Sequence, residues 1–207
     1  GFTDAAGNNN PAATQFAWTF DGTEPTISSV SLAADNANIA VTMSEAVYNA
    51  AGGSGALEVA DFALSISGGS ATLSSSTPSS ISSSGNIYTL GIGITGTPDG
   101  SEVLTVTPVS TSIYDAYGNT SSTSQSNNTA TLNDQLSPSV TITVANSGGS
   151  SVSSGSTTND ATLSLTFTSS ENTTTLAAGD VSVTGGSISS FSGSNATYTA
   201  TFTPSSD

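Results

Sequence analysis

The chain has 207 residues, of which 15 are Asp or Glu and none is Lys, Arg, His or Cys, giving a formal net charge of −15. A protein without cations cannot neutralise phosphates, which argues against binding to nucleic acids and to anionic lipids. Without cysteine it has no disulfides and no cysteine-bound metals. No apolar run is long enough for a transmembrane helix, and the 21 glycines and 7 prolines favour short strands and turns.

The first predicted element is a strand over residues 14–20. Its rings, Phe16, Trp18 and Phe20, alternate with polar or small residues, and this period of two places all three on one face. Because residues 1–25 are too few to form a core, we expect this aromatic stripe to pack on another sandwich. That sandwich belongs either to a preceding module or to a neighbouring chain.

Residues 26–137 have the pattern of one complete β-sandwich. Short apolar segments alternate with turns rich in Gly, Asn and Ser, and the length suits a single immunoglobulin-sized domain. The predicted strands lie at residues 27–32, 38–43, 62–66, 71–73, 86–94, 102–107 and 128–132.

Residues 138–207 begin the same pattern again. Predicted strands lie at residues 140–144, 161–167, 179–183 and 195–202, and Ser170-Glu171 repeats Ser44-Glu45. If Asp207 corresponds to Asp99, this module has no counterpart of the strand at 102–107 or of a final strand. We therefore expect an incomplete sandwich.

An acidic turn followed by a hinge occurs twice. Asp115-Ala-Tyr-Gly-Asn119 leads to Asp134-Gln-Leu-Ser-Pro138, and Asp4-Ala-Ala-Gly-Asn8 leads to Asp21-Gly-Thr-Glu-Pro25. Such a recurrence indicates a module boundary in a tandem array. The chain is then expected to start inside one module, with residues 1–25 as its terminal strand segment.

With Ser-Glu-Ala-Val at 44–47 and Val-Ala-Asp-Phe at 59–62, these motifs resemble the bacterial Ig-like repeat domains of large secreted adhesins and surface proteins. The resemblance implies an all-β chain of tandem Ig-like sandwiches outside the cell or on its surface. One sandwich is complete, one is incomplete, and the N-terminal strand belongs to a third. It also implies calcium at or near the junctions.

Calcium prefers six to eight oxygen ligands, which loops at one end of a sandwich can supply. The residues expected to meet at one end of the complete module are Glu45, Asp61, Asp115 and Asn119, joined by the hinge residue Asp134. A second set consists of Glu171 and Asp180, completed by Asp4 and Asn8 of a neighbouring copy. The alternative interpretation is that these Asp and Asn side chains only cap turns through backbone hydrogen bonds.

Enzymatic activity is not expected. Glu45 and Asp61 form a pair of carboxylates of the kind that hydrolyses glycosides, but no aromatic cleft is predicted and His, Lys and Arg are absent. A carbohydrate-binding or adhesive module remains an alternative, with a glycan or another surface ligand bound by exposed tyrosines. The candidates are Tyr48, Tyr114 and Tyr117.

Two structural roles remain open. In one, the chain is an excerpt of a long covalent adhesin stalk. In the other, it is a subunit whose residues 1–25 complete the unfinished domain of the next copy by β-strand addition, which gives a head-to-tail homopolymer. Common to both is an extracellular filamentous structural role, which we favour.

Overall fold

The computed structural model describes residues 1–205. The chain divides into two compact units, residues 1–135 and 136–207, and each is described by itself. Both are built from antiparallel strands joined by turns, so the all-β prediction is confirmed.

Membrane-crossing helices were sought among the described residues. None of their helices combines the length and the apolar character that a bilayer span requires.

The first unit contains nine strands arranged mainly in two sheets. One sheet has the order β1-β2-β6-β5, the other has the order β3-β8-β9, and β4 and β7 form a small separate pair. The strands are β1 (Ile27–Leu32), β2 (Asn38–Met43), β3 (Phe62–Ser67), β4 (Thr72–Leu73), β5 (Ile81–Ser84), β6 (Ile87–Gly91), β7 (Ile94–Thr95), β8 (Val103–Pro108) and β9 (Thr129–Thr131).

The core of this unit is formed by alternate residues of the central strands. Ile39 and Val41 of β2, Leu90 of β6, and Leu104 and Val106 of β8 are all completely buried. Burying one such side chain contributes about 1.5–3 kcal/mol. The alternation that predicted the strands therefore also specifies which face of each strand packs inward.

The second unit has three strands in the order β10-β11-β12, namely β10 (Val140–Ala145), β11 (Leu163–Thr173) and β12 (Gly186–Pro204). The Ser205 N–H donates to the Gly185 carbonyl at 2.9 Å, and these residues flank the two ends of β12. The 19-residue strand therefore folds back on itself.

The second unit repeats the pairing of the first. Tyr198 of β12 lies opposite Phe167 of β11, as Tyr88 lies opposite Val41 in the first unit. The Ser44 Oγ accepts a hydrogen bond from the Thr26 N–H at 2.9 Å, and the Ser170 Oγ accepts the equivalent bond from Ser139 at 3.0 Å. These bonds place the two units in one repeat register.

Unlike the first unit, the second has a sheet face that no second sheet covers within residues 136–205. Ile142 of β10 is 57% exposed. Phe167, Tyr198 and Ala200 form the buried cluster of this unit, with Leu165 and Val181 packed against it. The core is accordingly far smaller than that of the first unit.

Several predicted boundaries differ from the structure. Residues 14–20 form no strand, because a strand needs a hydrogen-bonded neighbour and the described residues provide none. The predicted strand 86–94 is interrupted after Gly91, and β5 was missed. The predicted strand 179–183 begins instead as a 3₁₀ turn at Ala178–Asp180, and residues 181–183 form no strand. Asp207 lies outside the described residues.

Candidate metal centre

Three carboxylates from distant parts of the sequence meet at one end of the first unit. Asp21, Glu45 and Asp115 each offer an oxygen, and these oxygens lie within 4.8 Å of one another. Asp21 belongs to the hinge before β1, Glu45 follows β2, and Asp115 opens the turn 115–119. Asp115 is completely buried, whereas the other two are half-buried.

The Asp115 turn is held by its own side chain. The Asp115 Oδ1 accepts hydrogen bonds from the backbone N–H groups of Tyr117 at 2.9 Å and Asn119 at 2.8 Å. The Asn119 side-chain amide donates to the Asp115 Oδ2 at 2.7 Å. Gly118 has a φ of +94°, which glycine adopts without steric cost. The turn thus presents a fixed carboxylate at the cluster.

The hinge is attached to this turn. The Asn119 side-chain amide also donates to the Asp21 carbonyl oxygen at 3.1 Å. The cluster therefore consists of three carboxylates, with Asp21 supplied by the hinge and with Asn119 holding both that hinge and the Asp115 turn.

The carboxylates influence one another electrostatically. The pKa of Glu45 is raised by burial and by the negative charges of Asp115 and Asp21. Burial also acts to raise the pKa of Asp115, but the hydrogen bonds from Asn119 and from the turn backbone outweigh it, and this pKa is lowered. The sequence contains no cationic side chain that could offset these charges.

The spacing suits a calcium ion. Two oxygens bound to the same Ca²⁺ at about 2.4 Å lie at most about 4.8 Å apart, and the three carboxylates each offer an oxygen within 4.8 Å of the others. Carboxylate and amide oxygens are the ligands this ion takes, and backbone carbonyls and water commonly complete its shell. The residues present therefore fit the ion that the sequence resemblance implies.

Of the residues predicted for this site, Glu45, Asp115 and Asn119 lie together and two others do not join them. Asp61 is at the same end of the unit, but its Oδ2 accepts the Glu58 N–H at 2.7 Å and closes a 3₁₀ turn. Asp134 lies at the opposite end, next to Gly100. Expecting Asp134 to join this set requires correction, because it follows the last strand of the unit, which runs away from the cluster.

The hinge residue that joins the cluster is Asp21, which was missed. Its equivalence to Asp134 was visible in the sequence, since both open a hinge that ends in proline. The Ser44 bond to Thr26 attaches the hinge to the module that follows it. What distinguishes Asp21 from Asp134 is therefore that the hinge containing Asp21 is bonded to the module that follows it.

The second predicted set combines residues of two copies, Glu171 and Asp180 of one with Asp4 and Asn8 of another. Asp4 and Asn8 form the same turn as Asp115 and Asn119, with the Asn8 amide 2.9 Å from the Asp4 Oδ2, but both are exposed. Asp180 repeats the role of Asp61 by accepting the Ala177 N–H at 2.9 Å. Glu171 is half-buried beside Ser170.

The same turn geometry occurs a third time, at residues 146–150. The Asn146 Oδ1 accepts the Ser150 N–H at 2.8 Å, and Gly149 has a φ of +81°. With Asn and Ser in place of Asp and Asn, the turn keeps its backbone hydrogen bonds and loses its charge. The turn is thus a structural element in its own right, and it becomes a candidate ligand only where Asp occupies its first position.

The aromatic residues fall into two groups. Phe16, Trp18 and Phe20 are 87%, 74% and 78% exposed. The rings of Trp18 and Phe20 pack edge to face, with their centres 6.4 Å apart. By contrast, Tyr48 and Tyr114 bridge each other's backbones and are half-buried. Tyr117, the third tyrosine predicted for a glycan site, is 62% exposed.

Comparison with known protein families gives a match in the C-terminal part of the chain. Residues 134–207 match the bacterial Ig-like domain. The resemblance stated from the sequence is thereby confirmed for these residues. No curated protein matches the chain.

Among solved structures, the chain is similar to the N-terminal part of the bacterial S-layer protein SbsC. The two are 19% identical with a TM-score of 0.39, and the match covers 72% of this chain and 41% of that one. This chain thus spans less than half of the length of that structure.

Proposed function

We propose that this chain is part of an extracellular bacterial structural protein, a repeat unit of a filament or an adhesin stalk. Its Ig-like modules are joined head to tail, and calcium stiffens their joints. The match of residues 134–207 to the bacterial Ig-like domain supports the class of protein. No catalytic role is included, since the chain has no His, Lys, Arg or Cys to assist its carboxylates.

The observation that carries the proposal is the attachment of the hinge to the following module. Asp21 stands beside Glu45 and Asp115, and its carbonyl is held by Asn119. A calcium ion bound there would offset two of the three negative charges and link the hinge to two loops of the sandwich. A hinge fixed in this way is what a stiff array of modules requires.

Thermal unfolding of the chain with calcium or with excess EGTA tests the joint. A ligand that binds only the folded state at a hundred times its Kd adds about 2.7 kcal/mol of stability. We expect calcium to raise the melting temperature of the wild-type chain and to have a much smaller effect on Glu45→Gln. Asp35→Asn, in an exposed loop away from the cluster, is the control. An equal response of all three proteins would refute a calcium site at the cluster.

Head-to-tail linkage by strand donation is supported by two surfaces. The stripe of Phe16, Trp18 and Phe20 is exposed, and so is Ile142 on the open sheet face of the second unit. Exposed apolar surface and unpaired strand edges favour association. Donation between copies is heterologous and therefore yields an open fibre.

Electron microscopy of the purified chain in calcium tests this linkage. We expect fibres from the wild-type chain and isolated particles after removal of residues 1–20, a deletion that keeps Asp21. Fibres from the truncated chain would rule out donation by this segment. In the native source, a single very large band on a denaturing gel would indicate a continuous covalent stalk, and a band near the 20.2 kDa of this chain would indicate subunits.

A further inference from the structure

The last residues of the first unit are held by a pair of asparagines. The Asn36 side-chain amide donates to the Asn133 carbonyl oxygen at 2.8 Å, and the Asn36 Oδ1 accepts the Asn133 N–H at 2.8 Å. Exchanging both backbone groups with one partner is what paired residues of an antiparallel ladder do. Asn36 is 3% exposed, and its side chain takes the place of a neighbouring strand beside Asn133.

The backbone of Asn36 suits this role. It has a φ of +59°, a left-handed conformation that asparagine adopts more readily than most residues other than glycine. The Asn36 N–H donates to the Ala33 carbonyl oxygen at 2.9 Å, and the Asn133 side-chain amide donates to the same oxygen at 3.0 Å. The loop 33–36 between β1 and β2 thus holds Asn133 by its backbone and by its side chain.

Gln135 is held at the same end of the unit. Its N–H donates to the Pro98 carbonyl oxygen at 2.9 Å, and its side-chain amide donates to the Ala34 carbonyl oxygen at 3.3 Å. These bonds lie beyond β9, which ends at Thr131. Because force travels along the covalent chain, tension applied from residue 136 onward reaches the bonds of Gln135 and Asn133 before it reaches β9.

The strand that precedes these bonds is short. β9 has three residues and lies at the edge of its sheet, where it pairs with Val103, Leu104 and Thr105 of β8. At the other end of the unit the chain enters through β1, which has six residues, five of them paired with β2. Fewer paired residues hold β9 than β1, so bonds made beyond β9 add more to the resistance of the unit against tension.

We propose that Asn36 is a mechanical latch, which keeps the chain from being pulled out of the first unit at its C-terminal end. This inference rests on the proposed stalk or filament, in which tension reaches each module through its hinges. Removing the Asn36 amide leaves the N–H and the carbonyl oxygen of Asn133 without this partner. A contact that is broken in the transition state for unfolding changes the unfolding rate by its full free energy.

Unfolding of the full chain in optical tweezers tests the latch. The chain has no cysteine, so cysteines added at its two ends give specific attachment points, and EGTA keeps metal ions out of the measurement. The two units differ in length, which identifies each unfolding event by the length of chain it releases. Asn36→Gly keeps the left-handed conformation without the side chain, and we expect it to speed unfolding of the first unit under load about tenfold.

Asn128→Ala is the matched control. Asn128 is also buried, and its side-chain amide donates to the Val106 carbonyl oxygen at 2.7 Å. It precedes β9, however, so load from the C-terminal end reaches it only after that strand. Each variant's loss of stability is measured in urea. Relative to that loss, we expect Asn128→Ala to speed unfolding under load much less than Asn36→Gly does.

The outcomes separate the latch from the proposed function. An unfolding rate under load that is unchanged in Asn36→Gly overturns the latch, and so do equal effects of the two variants relative to their urea stabilities. Either result leaves the structural role standing. That role and the calcium-stiffened joint are judged by microscopy and by the melting experiment with Glu45→Gln, neither of which involves Asn36.

Discussion

The Asn119 side-chain amide donates to the Asp21 carbonyl oxygen at 3.1 Å, across 98 residues of sequence. The same amide nitrogen holds the Oδ2 of the buried Asp115. One side chain therefore connects the hinge, the acidic turn and the carboxylate cluster.

Asn119→Ala removes both of these hydrogen bonds. Since a buried carboxylate loses a donor, we expect the first unit to lose about 1–3 kcal/mol of stability, measured as a lower urea midpoint. Asn8→Ala in the equivalent but exposed turn is the matched control, and its effect should stay within about 0.5 kcal/mol. Equal effects in the two variants would mean that the contact with Asp21 contributes nothing.

Glu45→Gln should change stability in opposite directions with and without calcium. In the folded protein the pKa of Glu45 is raised by burial and by the charges of Asp115 and Asp21. Its contribution to stability is therefore fully present below the unfolded pKa and is lost as the pH rises through the folded pKa.

In EGTA, Glu45→Gln should be more stable than the wild type above the folded pKa of Glu45, and the difference should vanish in acid. In calcium at neutral pH the order should reverse, because the variant loses a ligand. Urea unfolding across the pH range measures both effects. A variant less stable than the wild type in EGTA at neutral pH would contradict the proposed repulsion.

Glu102 is another buried carboxylate, away from the candidate metal centre. Its Oε1 accepts the N–H groups of Ser70 at 3.1 Å and Ala71 at 3.0 Å, and its Oε2 accepts that of Asp99 at 3.1 Å. The hydrogen bond from Ala71 is the largest influence that keeps the pKa of Glu102 below its ordinary value. Its stability contribution is thus present above the unfolded pKa and lost as the pH falls through the folded one.

Glu102→Gln should destabilise the first unit at neutral pH, because an NH₂ group cannot accept the Asp99 N–H. The difference in free energy of unfolding between the variant and the wild type should narrow in acid, where the wild-type carboxylate is protonated. Glu24→Gln in the exposed hinge is the control for the loss of one charge. A gap that does not change with pH would argue against a carboxylate-specific role.

Hydrogen exchange should distinguish the two units. Strands β2 and β8 surround a core with completely buried Ile39, Val41, Leu104 and Val106, whereas Ile142 on the sheet of the second unit is 57% exposed. We expect amides of β10 and β11 to exchange faster than those of β2 and β8 in dilute solution, because local opening exposes less apolar surface there. Similar protection in both units would show that the small core of the second unit protects its strands as well as the larger core protects those of the first.

Sequence reasoning predicted the strands in which apolar and polar residues alternate. Residues 27–32, 38–43 and 140–144 were placed within a residue of the observed strands, because a period of two gives a strand one apolar face. Strand β5 was missed, since Ile81-Ser-Ser-Ser84 buries little and pairs only through its backbone. Such a strand has no hydrophobic pattern to detect.

The candidate site was predicted in part for a related reason. Glu45, Asp115 and Asn119 could be chosen because each ends a strand or opens a turn at the same end of a sandwich. Choosing Asp21 rather than Asp134 requires knowing whether a hinge residue contacts the module before it or the module after it. That preference is set by hydrogen bonds such as the one from Thr26 to Ser44, which composition and spacing do not encode.

The hinge contact made by Ser44 recurs at Ser170, and this has a consequence for inheritance. Each of these bonds joins the first residues of a module to a serine of the same module, so a recombination event between two hinges exchanges equivalent contacts. The gene could then gain or lose whole modules while every module keeps this contact. The number of modules would vary among descendants of the gene far more readily than the sequence around Ser44 and Ser170.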